Sequence, residues 1–240
     1  MHTLQYTRYY LQHNYYNMSI FDTTIGLIAP HYCIGCSRPG AVFCKECAFG
    51  TTQLPSICYV CAKATKAHTP CSVHNSPRAL KHVYTALSYE GVAKKLMRAY
   101  KFDCKQAASK NIAFVMDLWL PYLEQNSVLT WVPTLPKHVR QRGFDHTKML
   151  AKDFGILRSL KPVATLDRVT STSQVGANRA QRKAQLKNAF AIRDGAKINS
   201  KNIVLIDDVV TTGATIEACT KVLYAAGAAS VSVVAFARTP

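Results

Sequence analysis

Thirteen residues near the carboxyl end restrict the fold of this chain more than any other stretch: Ile203-Val204-Leu205-Ile206-Asp207-Asp208-Val209-Val210-Thr211-Thr212-Gly213-Ala214-Thr215. The first four are β-branched or Leu residues with no polar interruption, which suits a strand buried on both faces. Two carboxylates follow at once. Thr, Thr, Gly, Ala and Thr then lead into Thr215 to Ala226, where a helix is expected, with Gly227 as its stop. A fully buried strand feeding a helix is the unit from which a parallel sheet covered on both sides is built. The expectation is an α/β fold of the Rossmann-like kind.

The rest of the second half supports that architecture. His82 to Ser88 reads as a short strand and Val92 to Tyr100 as a helix. Gln106 to Leu120 carries apolar residues at helical spacing. Val128 to Val132 is a buried strand, followed by a loop holding Pro133 and Pro136. Thr147 to Leu157 is helical, Val163 to Val169 a strand, and Thr170 to Gly176 a loop without periodicity. Val231 to Ala235 is a further strand.

The paired acids sit where doubly wound sheets hold their ligands, at the carboxyl end of a strand. Gly213 allows close backbone approach, the threonines supply hydroxyls, and free N–H groups at the helix start suit a phosphate. Acids beside a phosphate cradle call for a ligand with hydroxyls next to its phosphate, and a ribose 5-phosphate is such a ligand. The bland alternative is a strand, a turn and a capped helix with no ligand, but the whole pattern exceeds what a lone Asp-Asp would offer.

From His31 to His74 the composition differs: Cys, Gly and Pro punctuate it, and long apolar side chains are too few for a core of its own. Its ligand-type residues come in pairs: Cys33-x2-Cys36, Cys44-x2-Cys47, Cys58-x2-Cys61 and Cys71-x2-His74. A tight turn brings residues i and i+3 to one point, so each pair can serve one tetrahedral zinc ion. Gly35 suits the first turn. Eight ligands make two structural sites, assigned sequentially: Cys33, Cys36, Cys44 and Cys47, then Cys58, Cys61, Cys71 and His74. A cross-braced arrangement would use the same ligands, and His68 is an alternative to His74. A disulfide framework would need an oxidising compartment, and Met1 to Asn17 lacks the basic head and apolar core of an export signal. Of the remaining cysteines, Cys219 falls in a helical pattern and is expected to pack as a small apolar side chain.

The chain has 240 residues, enough for one full domain and a small satellite. The expected division is a poorly ordered lead-in over 1–19, a metal-binding module over 20–78 and an α/β domain over 79–240. No apolar run is long enough to span a membrane. The net charge of +17 favours polyanions, nucleic acid or phosphorylated small molecules, though general basicity alone would also produce it.

The segment Ile203 to Thr215 resembles the signature of the type I phosphoribosyltransferases. Three more stretches resemble the ComF/GntX family: Val132-Pro133 with Arg140-Gln141-Arg142-Gly143-Phe144-Asp145-His146; Arg168, Thr172, Gln174, Arg179, Arg182 and Asn188-Ala189-Phe190; and the ending Ala237-Arg238-Thr239. Three positions depart from it: Asp145-His146 where the family has Asn-Gln, His74 closing the fourth metal pair, and Gln185 in place of a common Asn. The resemblance implies a type I phosphoribosyltransferase fold with a double zinc-ribbon-like module, in a cytoplasmic protein linked to natural competence and DNA uptake. It implies binding of phosphoribosyl pyrophosphate (PRPP) with Mg²⁺. Asp207 and Asp208 would hold the ribose hydroxyls, and the run Val209, Val210, Thr211, Thr212, Gly213, Ala214 and Thr215 the 5-phosphate. Lys101 matches the pyrophosphate-loop position. Arg140 and Arg142, or Arg179 and Arg182, would neutralise the leaving pyrophosphate, although each is by default a solvated surface charge. A pentosyl transfer enzyme is the expectation. The alternative is a non-catalytic sensor of PRPP or nucleotide that works as an adaptor with single-stranded DNA or a competence helicase.

Overall fold

The computed structural model describes residues 31–76, 78–103, 106–169, 186 and 188–240. The expected lead-in 1–19, the loop Thr170 to Gly176, Gln185, and the candidates Arg179 and Arg182 lie outside these residues. In chain order the elements are α1 (Lys45–Phe49), β1 (Val83–Ser88), α2 (Gly91–Phe102), α3 (Ala108–Trp119), β2 (Val128–Trp131), α4 (Pro136–Arg142) and α5 (His146–Arg158). Then come β3 (Leu166–Arg168), β4 (Phe190–Ile192), β5 (Asn202–Val210), α6 (Ala214–Ala225) and β6 (Ser230–Arg238).

Four strands form one parallel sheet in the order β1-β6-β5-β2. The apolar run read from the sequence is thus a central strand, with β6 on one side and β2 on the other. Its alternation decides the packing. Val204 and Ile206 face a core made with α2, α3 and α5, while Ile203 and Leu205 face the core shared with α6. Side chains of period two on a strand with both faces covered give this division. The expected α/β architecture with a parallel sheet is what the structure has.

Three details differ from the sequence reading. The strand does not stop before the two acids but runs through them to Val210, because Asp207, Val209 and Val210 keep their register with Ala235, Ala237 and Arg238 of β6. The stretch after Pro133 holds a helix, α4, with Pro136 at its first position and Gly143 in the left-handed conformation (φ 78°) at its end. The strand expected at Val163 to Val169 is shorter and lies outside the parallel sheet, pairing antiparallel with β4. Cys219 packs fully buried in α6, as its helical position suggested.

The cysteine-rich segment is built on two copies of one turn. Cys33 N donates to Arg38 O and Ser37 N to Cys33 O; Cys58 N donates to Lys63 O and Ala62 N to Cys58 O. Each copy carries a positive φ at the matching residue, Ser37 at 59° and Ala62 at 60°. The first copy docks on the α3 side of the sheet: Asn111 Nδ2 donates to Phe43 O at 2.8 Å, and Phe49 meets Phe114 edge-on at 5.8 Å. The second docks on the α6 side through Tyr59. Among the described residues no helix is long and apolar enough to cross a membrane.

Candidate functional site

Asp207 and Asp208 are both buried, 8% and 5% exposed, at the carboxyl end of β5. Each accepts a backbone N–H beside it: Asp207 Oδ1 from Asp208 N at 2.9 Å, and Asp208 Oδ1 from Val209 N at 2.5 Å. Adjacent strand residues point to opposite faces, so the two carboxylates meet different neighbours. Asp208 faces α2 and α5, where Lys101 Nζ lies 2.5 Å and His146 Nε2 2.6 Å from its Oδ2. Lys101 brings its charge to that oxygen, and His146 faces it with Nε2. Asp207 faces the α6 side, within electrostatic reach of Cys219 and Arg168.

The electrostatics diverge accordingly. Burial, then the charge of Asp208, pushes the Asp207 carboxyl up to about 8. Burial acts on Asp208 in the same sense, but Lys101 and His146 outweigh it and hold that carboxyl far below the usual range. One acid is kept protonated near neutral pH and the other ionised.

His146 is set by its surroundings. Arg142 Nη1 lies 2.9 Å from His146 Nδ1. A guanidinium only donates, so Nδ1 accepts and the ring proton sits on Nε2, facing Asp208. Arg142 itself lies over the ring of the exposed Phe102, 5.5 Å from its centroid. Asp145 caps α5 by accepting from Lys148 N at 3.1 Å, and Thr134 Oγ1 donates to the same carboxylate at 2.7 Å. Tyr100 Oη donates to His146 O at 2.6 Å, which fixes the start of α5 against α2. The Asp-His pair read as a departure from the family pattern therefore sits directly on the site. Arg140 is exposed on α4 and has no such contact with the acids.

Val210, the last residue of β5, is buried, and beyond it Thr211 is exposed and Thr212 half-buried. Gly213 has φ 79°, a conformation that suits glycine, and opens α6 without any side-chain cap. Ala214 N donates to Thr212 Oγ1 at 3.4 Å. Apart from that long contact, the N-cap position offers the first turn of α6, which includes Thr215, no side-chain acceptor, an arrangement suited to an anion.

The eight metal-type residues form two groups, Cys33, Cys36, Cys44 and Cys47, and Cys58, Cys61, Cys71 and His74. Within each group the ligand atoms lie within 4.8 Å of one another. Cys36 and Cys44 Sγ are 3.7 Å apart, as are Cys61 and Cys71 Sγ. That spacing is far beyond a disulfide and close to the edge, about 3.8 Å, of a tetrahedron with metal–sulfur bonds of about 2.3 Å. His74 Nδ1 lies 3.1 Å from Cys71 Sγ. His68 stands apart, against the Tyr84 ring at 5.2 Å. A Cβ on Gly35 would fall 2.7 Å from Cys47 Sγ, so this turn needs its glycine. Burial pushes the Cys33 thiol up, but backbone N–H groups of Cys44, Cys36 and Gly35 bring it down to about 6. Cys58 is brought to about 6 in the same way, by the amides of Cys71, Cys61 and Val60. One readily ionised thiol in each group, with three further ligand atoms gathered beside it, fits a zinc-type ion.

Sequence reasoning missed Tyr59, and it named Arg168 only within the family-like stretch, without a role. Tyr59 lies between two metal-type cysteines, and its ring packs on Gly213. Arg168 stacks over Phe190 at 5.0 Å on the Asp207 side. No motif marks either contact, since both partners are remote in sequence.

Fold and site define a type I phosphoribosyltransferase fold with an amino-terminal module of two cysteine clusters, and a phosphoribosyl transferase domain model matches residues 151–240. The chain is 26% identical over 228 residues to DNA utilization protein YhgH of Escherichia coli (strain K12), covering 89% of this chain and 99% of that protein. It is 29% identical over 202 residues to competence protein ComFC of Streptococcus pneumoniae (strain ATCC BAA-255 / R6), covering 84% and 83%. With ComFC of Bacillus subtilis (strain 168) it shares 26% over 214 residues, covering 85% and 77%. These relatives and the matched domain support the resemblance of the chain to the ComF family.

Proposed function

We propose that this protein binds PRPP with Mg²⁺ and transfers its phosphoribosyl group, in the setting of DNA uptake and use. The observation that carries this reading is the junction at the end of β5. An ionised, buried Asp208 held by Lys101 and His146 stands just before an uncapped helix start opened by a left-handed Gly213. The relatives' names, DNA utilization and competence, supply the setting.

In this reading the 5-phosphate sits on the amides from Thr211 to Thr215, and Asp208 accepts the ribose hydroxyls. Lys101 bridges from Asp208 to the pyrophosphate, and Arg142 reaches the same group from α4. Asp207 is the second acid available to the ribose hydroxyls, and Mg²⁺ bound with PRPP would supply charge neutralisation for the departing pyrophosphate. The bond from ribose C1 to pyrophosphate breaks as the acceptor's bond to C1 forms. The chain's contribution is positioning and electrostatic stabilisation. The cysteine clusters hold one zinc ion each in closed, structural sites with no open position for chemistry.

Calorimetric titration of PRPP, with and without Mg²⁺, tests the site. Asp208→Ala should weaken binding about tenfold to a hundredfold, the worth of charge-assisted hydrogen bonds. Unchanged affinity removes the assignment. A nucleobase panel read by pyrophosphate release then separates the two forms of the proposal, with turnover marking an enzyme and binding alone a sensor.

A further inference from the structure

The two cysteine clusters differ in what lies beneath them. The first rests on α3. The second sits on the turn between β5 and α6. Tyr59, the residue after Cys58, is 6% exposed, with its ring against Gly213. A Cβ built on Gly213 would fall 2.8 and 2.9 Å from two ring carbons, so the ring fills the space where any other side chain would begin. Two further ties leave the same residue. Tyr59 Oη donates to Glu217 Oε1 in the first turn of α6 at 3.4 Å, and Tyr59 O accepts from Arg238 Nη2 at the end of β6 at 3.4 Å. The buried Arg238 guanidinium also lies within electrostatic reach of Cys58 and Cys61, a cation beside thiolates whose charge a single divalent ion does not cancel.

We propose that Tyr59 is a positioning residue for the phosphate loop, held in place by the metal of the second cluster, so that this cluster and not the first sets the loop's ligand-ready shape. The inference rests on the proposed phosphoribosyl site and adds a dependence on the metal module. The turn Cys58-Tyr59-Val60-Cys61 has its geometry fixed when both cysteines share an ion. A fixed turn presses the ring on Gly213 and leaves Thr211 to Thr215 one available conformation. Without the ring the loop would have to be ordered by the ligand itself, at the expense of affinity.

The test uses the full chain with about two equivalents of bound zinc, verified by elemental analysis. Tyr59→Ala should retain both ions and bind Mg²⁺-PRPP about tenfold or more weakly, because small misplacements of a positioning group are expensive. Tyr59→Phe keeps the ring and should bind within about twofold of the unsubstituted protein. Tyr59→Leu, which preserves apolar bulk, serves if the alanine variant does not fold. Hydrogen exchange in the ligand-free protein gives an independent readout: amides 211–216 should exchange faster in Tyr59→Ala, with α3 unchanged. Equal affinity in Tyr59→Ala, or equal exchange across 211–216, overturns the inference. If the unsubstituted protein does not bind PRPP, the functional reading fails by itself, and the exchange experiment still decides whether Tyr59 shapes the loop.

Discussion

Asp207 and Asp208 are neighbours on one strand, and burial disfavours the charge of both. What separates them is the company across each face of the sheet. Lys101 and His146 stand against Asp208, whereas the second carboxylate adds to the burial of Asp207. The signs of their pH effects are therefore opposite. Asp207 stays protonated in the folded protein up to about 8, while an unfolded chain ionises it near about 3.9. Between those values the folded state holds the extra proton, so its contribution to stability falls as pH rises, by at most about 1.4 kcal/mol per pH unit. Asp208 is depressed, so its stabilisation is present above about 3.9 and is lost as pH falls below that. Thermal unfolding from pH 5 to 9 distinguishes them. Asp207→Asn should gain on the unsubstituted protein as pH rises toward 8. Asp208→Asn should lose on the order of 2 kcal/mol across the same range, with the partly exposed Lys101 recovering some hydration. Parallel curves for Asp207→Asn would refute the assignment of the proton.

Elements differed in how plainly the sequence announced them. β5 and α6 were legible because an unbroken apolar run, two acids and a Thr-Gly turn each follow from local chemistry. The sequential grouping of the cysteine pairs was legible for the same reason. α4 was not, because it buries none of its side chains and so has no apolar period to read. Its signals were only Pro136 at the start and Gly143 at the end. β3 and β4 span three residues each, too few for alternation to register. The contacts His146 to Asp208 and Tyr59 to Gly213 depend on how distant elements meet. So does the clamp between α3 and α5. Arg158, buried at the end of α5, pairs with Asp117 and donates to the carbonyls of Asp117, Leu120 and Pro121 at 2.8, 3.0 and 2.7 Å. Its guanidinium satisfies the exposed carbonyls at the carboxyl end of α3, and that clamp holds α5, and with it His146, against the sheet. Arg158→Ala leaves a buried carboxylate and three carbonyls without their donor. The denaturant midpoint should fall by the equivalent of about 3–5 kcal/mol at unchanged m-value. Arg158→Lys should recover little, since one ammonium cannot reproduce the planar fork. A loss below about 1 kcal/mol would mean the clamp is dispensable.

At the scale of the molecule the cysteine module is not a satellite attached by a linker. Its first half enters the core on one face of the sheet, where Val42, Phe43 and Ala48 lie buried with Leu87, Leu96 and Phe236. Its second half enters the other core, where Tyr59, with the partly buried Val60 beside it, lies with Val210, Ile216 and Val233. A segment with too few apolar residues for a core of its own thus completes both cores of the domain it precedes. With an ion in each cluster, as proposed, metal binding and folding of the whole chain would be one equilibrium, because ions that fix the two turns would also fix the side chains those turns deliver. Removing zinc with a strong chelator should lower the melting temperature of the entire protein, in a single transition seen alike by far-ultraviolet and aromatic circular dichroism. The unfolding enthalpy should remain that of one cooperative unit. Two resolved transitions, with the sheet melting as before and only the module lost, would show that the cores close without it. A melting curve indifferent to the chelator, with the metal demonstrably gone, would remove the structural role of the ions altogether.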